Sequence, residues 1–277
     1  YYNMRIFIFF LLVTMCLILY SHNYIENFFN YKKYSISRYF DKVYVIVLDE
    51  RKKYIANIMS KYNINPIYVD AILKSSINKQ KLISDNVLSP NNYRETDGNP
   101  LLYSQIACHQ SHCKVLSNFL SSDAKNCLIF EDDISEPKYD LKFIDNVLAN
   151  LYKSLPYNYD IVYFGKCYEF CDKVININKY LGKCYRPYCR HAYSVSRKGA
   201  EKILKMTIPM KMAGDQMIAN LIRENKLNAY SSIPTLFYQN RNDLISTLNN
   251  GDDARECMGV PWSFGRESPQ KAVRLGF

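Results

Sequence analysis

Three consecutive carboxylates, Glu131-Asp132-Asp133, close the apolar run Cys127-Leu128-Ile129-Phe130. A short apolar run of this kind predicts a buried strand. Burying three like charges is costly, so they belong at the strand's exit, in a cleft or in water. In an open α/β sheet the carboxyl ends of strands are where ligands bind. Oxygen donors at such an edge suit a hard divalent cation shared with the phosphates of a substrate. A solvated acidic turn before Pro137 is the plainer alternative.

Other residue types with chemical potential are the histidines and cysteines. His112 follows Ser111 inside a helical pattern, one turn from apolar neighbours, the usual setting of a histidine that hydrogen-bonds rather than reacts. Cys167, Cys171, Cys184 and Cys189 cluster in a loop-rich stretch. Two disulfides in an oxidising compartment account for them better than zinc, because Cys-x3-Cys followed by Cys-x4-Cys is not the usual zinc-ribbon spacing. Cys108, Cys113 and Cys127 sit among apolar residues and are expected to be inert thiols.

The elements that must position these residues alternate strand and helix. Val43–Leu48 predicts a buried strand that stops at Asp49-Glu50-Arg51, then a helix from Lys52 to Tyr62, then a second strand over Ile67–Ala71. That order is a nucleotide-binding half of an α/β sheet. Lys74 to Pro100 is predicted to be loop, with turns at Pro90-Asn91-Asn92 and Asp97-Gly98-Asn99-Pro100. Tyr103–Leu120 has helical periodicity. After the acidic stretch come an amphipathic helix over Tyr139–Leu155, a strand over Tyr159–Gly165, and the cysteine loop. A strand over Arg190–Ser196 leads into a helix from Arg197, a further helix starts near Asp215, and a last strand is expected over Asn228–Tyr238 around Pro234. Gly165, at a strand end, would let the backbone approach a substrate closely. Asp215, near a helix start, is favoured there by the helix dipole.

This ordered set resembles glycosyltransferase family 25, the lipooligosaccharide and procollagen galactosyltransferase-like enzymes. The resemblance runs from about Lys42 to Leu248. It rests on the first strand with its Asp49-Glu50-Arg51 turn, on Ser111-His112, and on the strand into Glu131-Asp132-Asp133. Tyr163-Phe164-Gly165, the segment His191-Ala192-Tyr193-Ser194-Val195-Ser196-Arg197-Lys198-Gly199-Ala200 and the late Asp215 complete it. It implies an α/β domain of GT-A type, a Rossmann-related mixed sheet flanked by helices. It also implies inverting, metal-dependent hexosyl transfer from a UDP-sugar, with Mn²⁺ or Mg²⁺ as cofactor. On that basis Asp133, Glu131 and His191 are the expected metal ligands, and Asp215 the expected general base. His191 is otherwise a structural histidine, and Asp215 otherwise a helix cap. Arg51, Asp70, Ser111, His112, Glu131, Asp132 and Gly165 are expected to line or support the donor site. Two positions depart from the family pattern: Val47 stands where Asn is usual, and Ala107 where Gly is usual.

Composition bounds the alternatives. The chain of 277 residues is 48% hydrophobic, enough to bury a sizeable core, which excludes wholesale disorder. Its formal net charge of +10 comes from scattered lysines, and no nucleic-acid module is recognisable, so a nucleic-acid partner is not expected. The positive charge suits an anionic nucleotide-sugar or an anionic membrane face. Residues 1–21 are read as a signal-anchor, or alternatively a cleaved signal peptide, that attaches the chain to a membrane with its domain on the lumenal side of the secretory pathway. Residues 22–40 are then a stem, 41–250 the glycosyltransferase domain, and 251–277 a tail of no assigned role. The expected partners are the UDP-sugar donor and a glycan, lipid-linked or glycoprotein acceptor. An inactive nucleotide-sugar or glycan-binding scaffold is a rival, as is a structural calcium site at the acidic stretch.

Overall fold

The computed structural model describes residues 34–241 without a break, together with residues 13–15, 17, 20 and 244. Most of the expected membrane segment, most of the stem and the whole tail lie outside the described residues. Among the described residues no helix is long and apolar enough to cross a membrane. The end of the expected stem belongs to the domain: Ile36–Tyr39 forms a 3-10 turn whose Ile36 is buried.

Eight strands form one mixed sheet among the described residues. They are β1 (Lys42–Val47), β2 (Ile67–Asp70), β3 (Asn126–Glu131), β4 (Ile161–Gly165), β5 (Ile175–Asn178), β6 (Leu181–Lys183), β7 (Ala192–Ser196) and β8 (Ala229–Ser232). Their spatial order is β2-β1-β3-β7-β4-β8-β6-β5. β1 runs parallel to β2 and β3, and β4 runs parallel to β8. β7 is inserted antiparallel between β3 and β4. Its first residues therefore lie beside the carboxyl ends of both neighbours, at the edge where ligands are received.

Residues 34–241 form six helices, α1 (Lys52–Lys61), α2 (Lys79–Ser84), α3 (Tyr103–Leu120), α4 (Leu141–Ser154), α5 (Arg197–Thr207) and α6 (Gly214–Arg223), and all but the exposed α2 pack on the sheet. Strand side chains alternate between two faces, and the two cores follow that alternation. On one face Val43, Val45, Leu128, Phe130, Val162 and Phe164 meet Ile55, Ile58 and Met59 of α1 and Ile144, Val147 and Leu151 of α4. On the other, Tyr44, Ile46, Ile129, Tyr163 and Tyr193 meet Val115 and Phe119 of α3, Ile203 of α5 and Ile218 of α6. A third, smaller cluster of Leu88, Leu101, Ile106, Met210 and Met217 fastens the long segment before α3 to the start of α6.

Four expectations are corrected. The last strand ends at Ser232 rather than Tyr238, because Pro234 has no N–H to give a ladder. The loop-rich segment contains α2, capped by Asn78 Oδ1 accepting from Lys81 N at 3.0 Å; none of its residues is buried, so it left no apolar stripe to read. The cysteine loop contains the β5–β6 hairpin, whose first strand is exposed nearly throughout. Of the two disulfides expected among its four cysteines, Cys167–Cys189 forms, whereas Cys184 is a free, buried thiol.

The Ser-x-x-Gly-Ala segment has a packing explanation. Ser196 Oγ accepts the hydrogen bond of Gly199 N at 3.0 Å and so caps α5. A methyl on Gly199 would lie 2.1 Å from the main-chain oxygen of Asp160. Gly199→Ala adds helix propensity of about 1 kcal/mol, but the obstructing atom is backbone at the entry to β4 and cannot turn aside. The clash wins, and a net loss of stability on the order of 1–3 kcal/mol is expected, read as a lower denaturant midpoint. A midpoint equal to or above that of the parent protein would show that β4 can shift to admit the methyl.

Candidate active site

The acidic stretch leaves the sheet at the end of β3, and each carboxylate meets a different element. Glu131 Oε1 lies 2.9 Å from His112 Nε2 on α3, and His112 Nδ1 lies 3.1 Å from Tyr193 Oη on β7. Asp132 accepts from Leu48 N at 2.7 Å and from Arg51 Nη1 at 2.9 Å, so both its oxygens are engaged. Asp133 Oδ2 accepts from Gln239 Nε2 at 2.8 Å, whereas its Oδ1 is buried and accepts no hydrogen bond. Burial pushes the Glu131 carboxyl up to about 7, with Asp132 and Asp215 adding to the effect and Arg190 opposing it. Burial pushes Asp133 up to about 7 as well, reinforced by Glu131 and Asp132. Burial holds His112 well below the usual histidine range, so its imidazole is neutral.

The residues that open β7 complete one side of the cleft. Arg190 is 3% exposed, and its charge bears on Glu131, Cys108 and Asp215. Its Nη1 has no hydrogen-bond partner. A methyl on Gly214 would lie 2.6 Å from Arg190 Nη2 and 2.3 Å from His109 Nδ1, so this glycine is what lets both side chains reach the start of α6. His191 is neutral, burial pulling it down to about 3. Its Nε2 lies 3.2 Å from the Phe237 carbonyl, which makes that nitrogen a donor. The ring fills the space beside Gly165, where a methyl would sit 2.2 Å from Nε2. The room at Gly165, expected for a substrate, is thus taken by His191.

Asp215 lies in the first turn of α6, with its carboxylate held by two backbone donors. Gln216 N reaches Oδ1 at 2.9 Å and Cys189 N reaches Oδ2 at 3.2 Å. Asp215 is not the residue that caps the helix; Ala213 holds that position. With about four acceptor sites on an ionised carboxylate, it keeps capacity for a further donor.

The expected site residues divide into groups. Glu131, Asp132, Asp133, His112, Arg51 and Asp215 converge on the sheet's carboxyl edge. Ser111 supports from behind, its hydroxyl accepting from Ile72 N and donating to the Ala107 carbonyl, both at 2.8 Å. Asp70 stands on the surface, 74% exposed and 3.0 Å from Lys52 Nζ. His191 does not join Asp133 and Glu131 in one ligand set. Among the described residues the group whose ligand atoms all lie within 4.8 Å of one another is Cys108, His112 and Glu131. Val47 faces the core under α1, so its departure from the family pattern removes nothing from the cleft. Arg190 and His109 were assigned no role from the sequence, and Cys108 was expected to be an inert thiol. For Arg190 a signal was present, a charge at the head of a strand.

The pattern of glycosyltransferase family 25 (LPS biosynthesis protein) matches residues 40–218, more than half of the chain and a span that includes both the acidic stretch and Asp215. A glycosyltransferase 25 family member from Anopheles gambiae is 24% identical over 154 residues, which is 50% of this chain and 26% of that protein. The match therefore spans about a quarter of the relative's length. On the family match, over more than half of its length, the chain belongs to glycosyltransferase family 25.

Proposed function

We propose that this protein transfers a hexose, galactose or glucose, from a UDP-sugar to a hydroxyl of a glycan, a lipid-linked sugar or a collagen-like hydroxylysine, with inversion and with a divalent cation. The observation that carries this reading is the buried, unpartnered Oδ1 of Asp133, at the same sheet edge as a second carboxylate, Asp215, that keeps acceptor capacity. A buried carboxylate oxygen without a donor is a costly feature, and a hard cation such as Mn²⁺ or Mg²⁺ satisfies it. The donor set fits: Asp133 would hold the cation, with Glu131 beside it. Asp132 is occupied by Arg51 and Leu48 N and serves to fix the turn. When bound, the cation supplies charge neutralisation for the departing diphosphate.

The remaining work falls to the chain's own groups. Inversion in one displacement needs a base for the acceptor hydroxyl. Asp215 is suited to it, because two backbone N–H groups orient the carboxylate without exhausting its lone pairs. The buried guanidinium of Arg190 adds positive charge beside the place where negative charge develops. The Cys167–Cys189 disulfide supports a lumenal or secreted setting.

Incubation with a panel of UDP-sugars and Mn²⁺, reading free UDP, tests the assignment. Asp133→Asn is expected to lower UDP release by about 100-fold or more; undiminished release would remove Asp133 from the site. Asp215→Asn is expected to lower transfer to acceptor by about 10²–10⁴-fold, with UDP-sugar affinity changed less than about threefold. A transfer rate equal to the parent's would assign the base elsewhere.

Asp133 also predicts a pH signature for the metal-free protein. Its folded value near 7 lies above the ordinary aspartate value, so the folded state binds the proton more tightly than the unfolded one. That contribution is fully present below about pH 4 and is lost as pH rises through 7. In chelator, Asp133→Asn is therefore expected to exceed the parent in stability by about 1–2 kcal/mol at pH 8, the margin closing toward pH 5. A margin independent of pH between 5 and 8 would contradict this account of Asp133.

A further inference from the structure

Cys108, His112 and Glu131 place a sulfur, an imidazole nitrogen and a carboxylate oxygen within 4.8 Å of one another, and glycosyl transfer as proposed above calls on only the carboxylate. Cys108 and His112 are four residues apart on α3 and so project from one face of it. Glu131 closes the third side from the tip of β3. His112 Nδ1 meets Tyr193 Oη at 3.1 Å, while Nε2 is turned to Glu131. An imidazole anchored through one ring nitrogen, with the other aimed at a ligand cluster, is the arrangement proteins use to orient a metal-binding histidine.

The donor types narrow the cation. A thiolate together with an imidazole and one carboxylate favours zinc-class ions over Mg²⁺ or Mn²⁺, which prefer oxygen. The local charges agree. Negative charge from Glu131, Asp215 and Asp133 surrounds Cys108 against the one positive charge of Arg190, a field that favours a bound cation. Cys108 is only partly buried, which leaves a way in, whereas Cys113, Cys127 and Cys184 are buried.

We propose that Cys108 Sγ, His112 Nε2 and Glu131 form a binding site for a zinc-class divalent cation, one that draws Glu131 away from the donor pocket when filled. On binding, the thiol proton and the proton shared by His112 and Glu131 pass to solvent, and water completes a tetrahedral shell. The inhibitory consequence rests on the glycosyl-transfer reading; the cation site itself does not.

Titration of the full chain, freed of metal, with Co²⁺ tests the site by absorbance. A near-ultraviolet thiolate-to-cobalt band is expected to saturate at about one equivalent, to vanish when Zn²⁺ is added, and to be missing from a Cys108→Ser variant whose circular dichroism matches the parent. Absence of the band in the parent, or its survival in Cys108→Ser, overturns the site. With saturating Mn²⁺, micromolar Zn²⁺ is expected to slow UDP release about tenfold in the parent and less than about twofold in Cys108→Ser, each against its own zinc-free rate. Equal inhibition of the two proteins overturns the link to Glu131. Because the cobalt band needs no turnover, a chain that shows it yet releases no UDP from any donor tells against glycosyl transfer and confirms the cation site.

Discussion

Three adjacent carboxylates at the tip of a strand buried on both faces impose the governing constraint on this fold. Each must find compensation, and one neighbour cannot serve all three, because consecutive side chains point in different directions as the strand ends. The compensation comes from three elements far apart in sequence. His112 on α3 meets Glu131, the β1–α1 turn meets Asp132 through Leu48 N and Arg51, and Gln239 after β8 meets Asp133. Hydrogen bonds to a charged group contribute about 1.5–3 kcal/mol each, while an uncompensated buried charge costs more than that. The acidic turn therefore fixes where the surrounding segments must come to rest. Asp133 Oδ1, buried and without a donor, is where the structure holds capacity for a ligand.

The elements with a strong local signal were legible in the sequence. β1, β3 and β4 are largely apolar runs, α3 matches its predicted limits, and α1 and α4 differ from theirs by one or two residues. Those signals survive because burial on both faces requires them. What was not legible had no such requirement. α2 buries nothing, and β5 is exposed nearly throughout, so neither leaves a pattern. The antiparallel insertion of β7 is a long-range pairing choice that its own residues do not encode. Which cysteines pair was not legible for a similar reason. Spacing cannot reveal that Cys184 turns into the core packed by Ile203 and Leu227 while Cys189 turns toward Cys167.

The site was legible in its carboxylates and less so in its framework. Motif residues that suggest substrate contact prove to be packing devices. Gly165 makes room for the His191 ring, and Gly214 admits Arg190 and His109 to the head of α6. Ser111 ties α3 to the segment after β2 rather than facing the cleft. Sequence patterns register that a small or polar residue is needed at a place, but not which neighbour needs it. Arg190 shows the converse: its importance comes from the groups around it, Glu131 on one strand and Asp215 on a distant helix, which only the folded chain assembles.

The placement of Asp215 relative to the acidic turn follows from the direction of β7. Had that strand run parallel to β3, its first residues would lie at the opposite edge of the sheet, and Arg190 would be remote from Glu131. Running antiparallel, it sets His191 O against Glu131 N at 2.9 Å. Two residues earlier, Cys189 N donates to Asp215 at 3.2 Å. One short segment thus meets the main chain of Glu131 and the carboxylate of Asp215 through its own backbone, and its position is secured covalently, by the bond from Cys189 to Cys167 just beyond β4. Cys189 adopts a left-handed φ of 64°, a conformation disfavoured for a residue with a Cβ. That conformation is held from both sides, by the disulfide and by the Asp215 hydrogen bond. The separation between the acidic sheet edge and the candidate base is therefore set by backbone and a covalent link, not by flexible side chains, which is the rigidity that the proposed in-line displacement would demand.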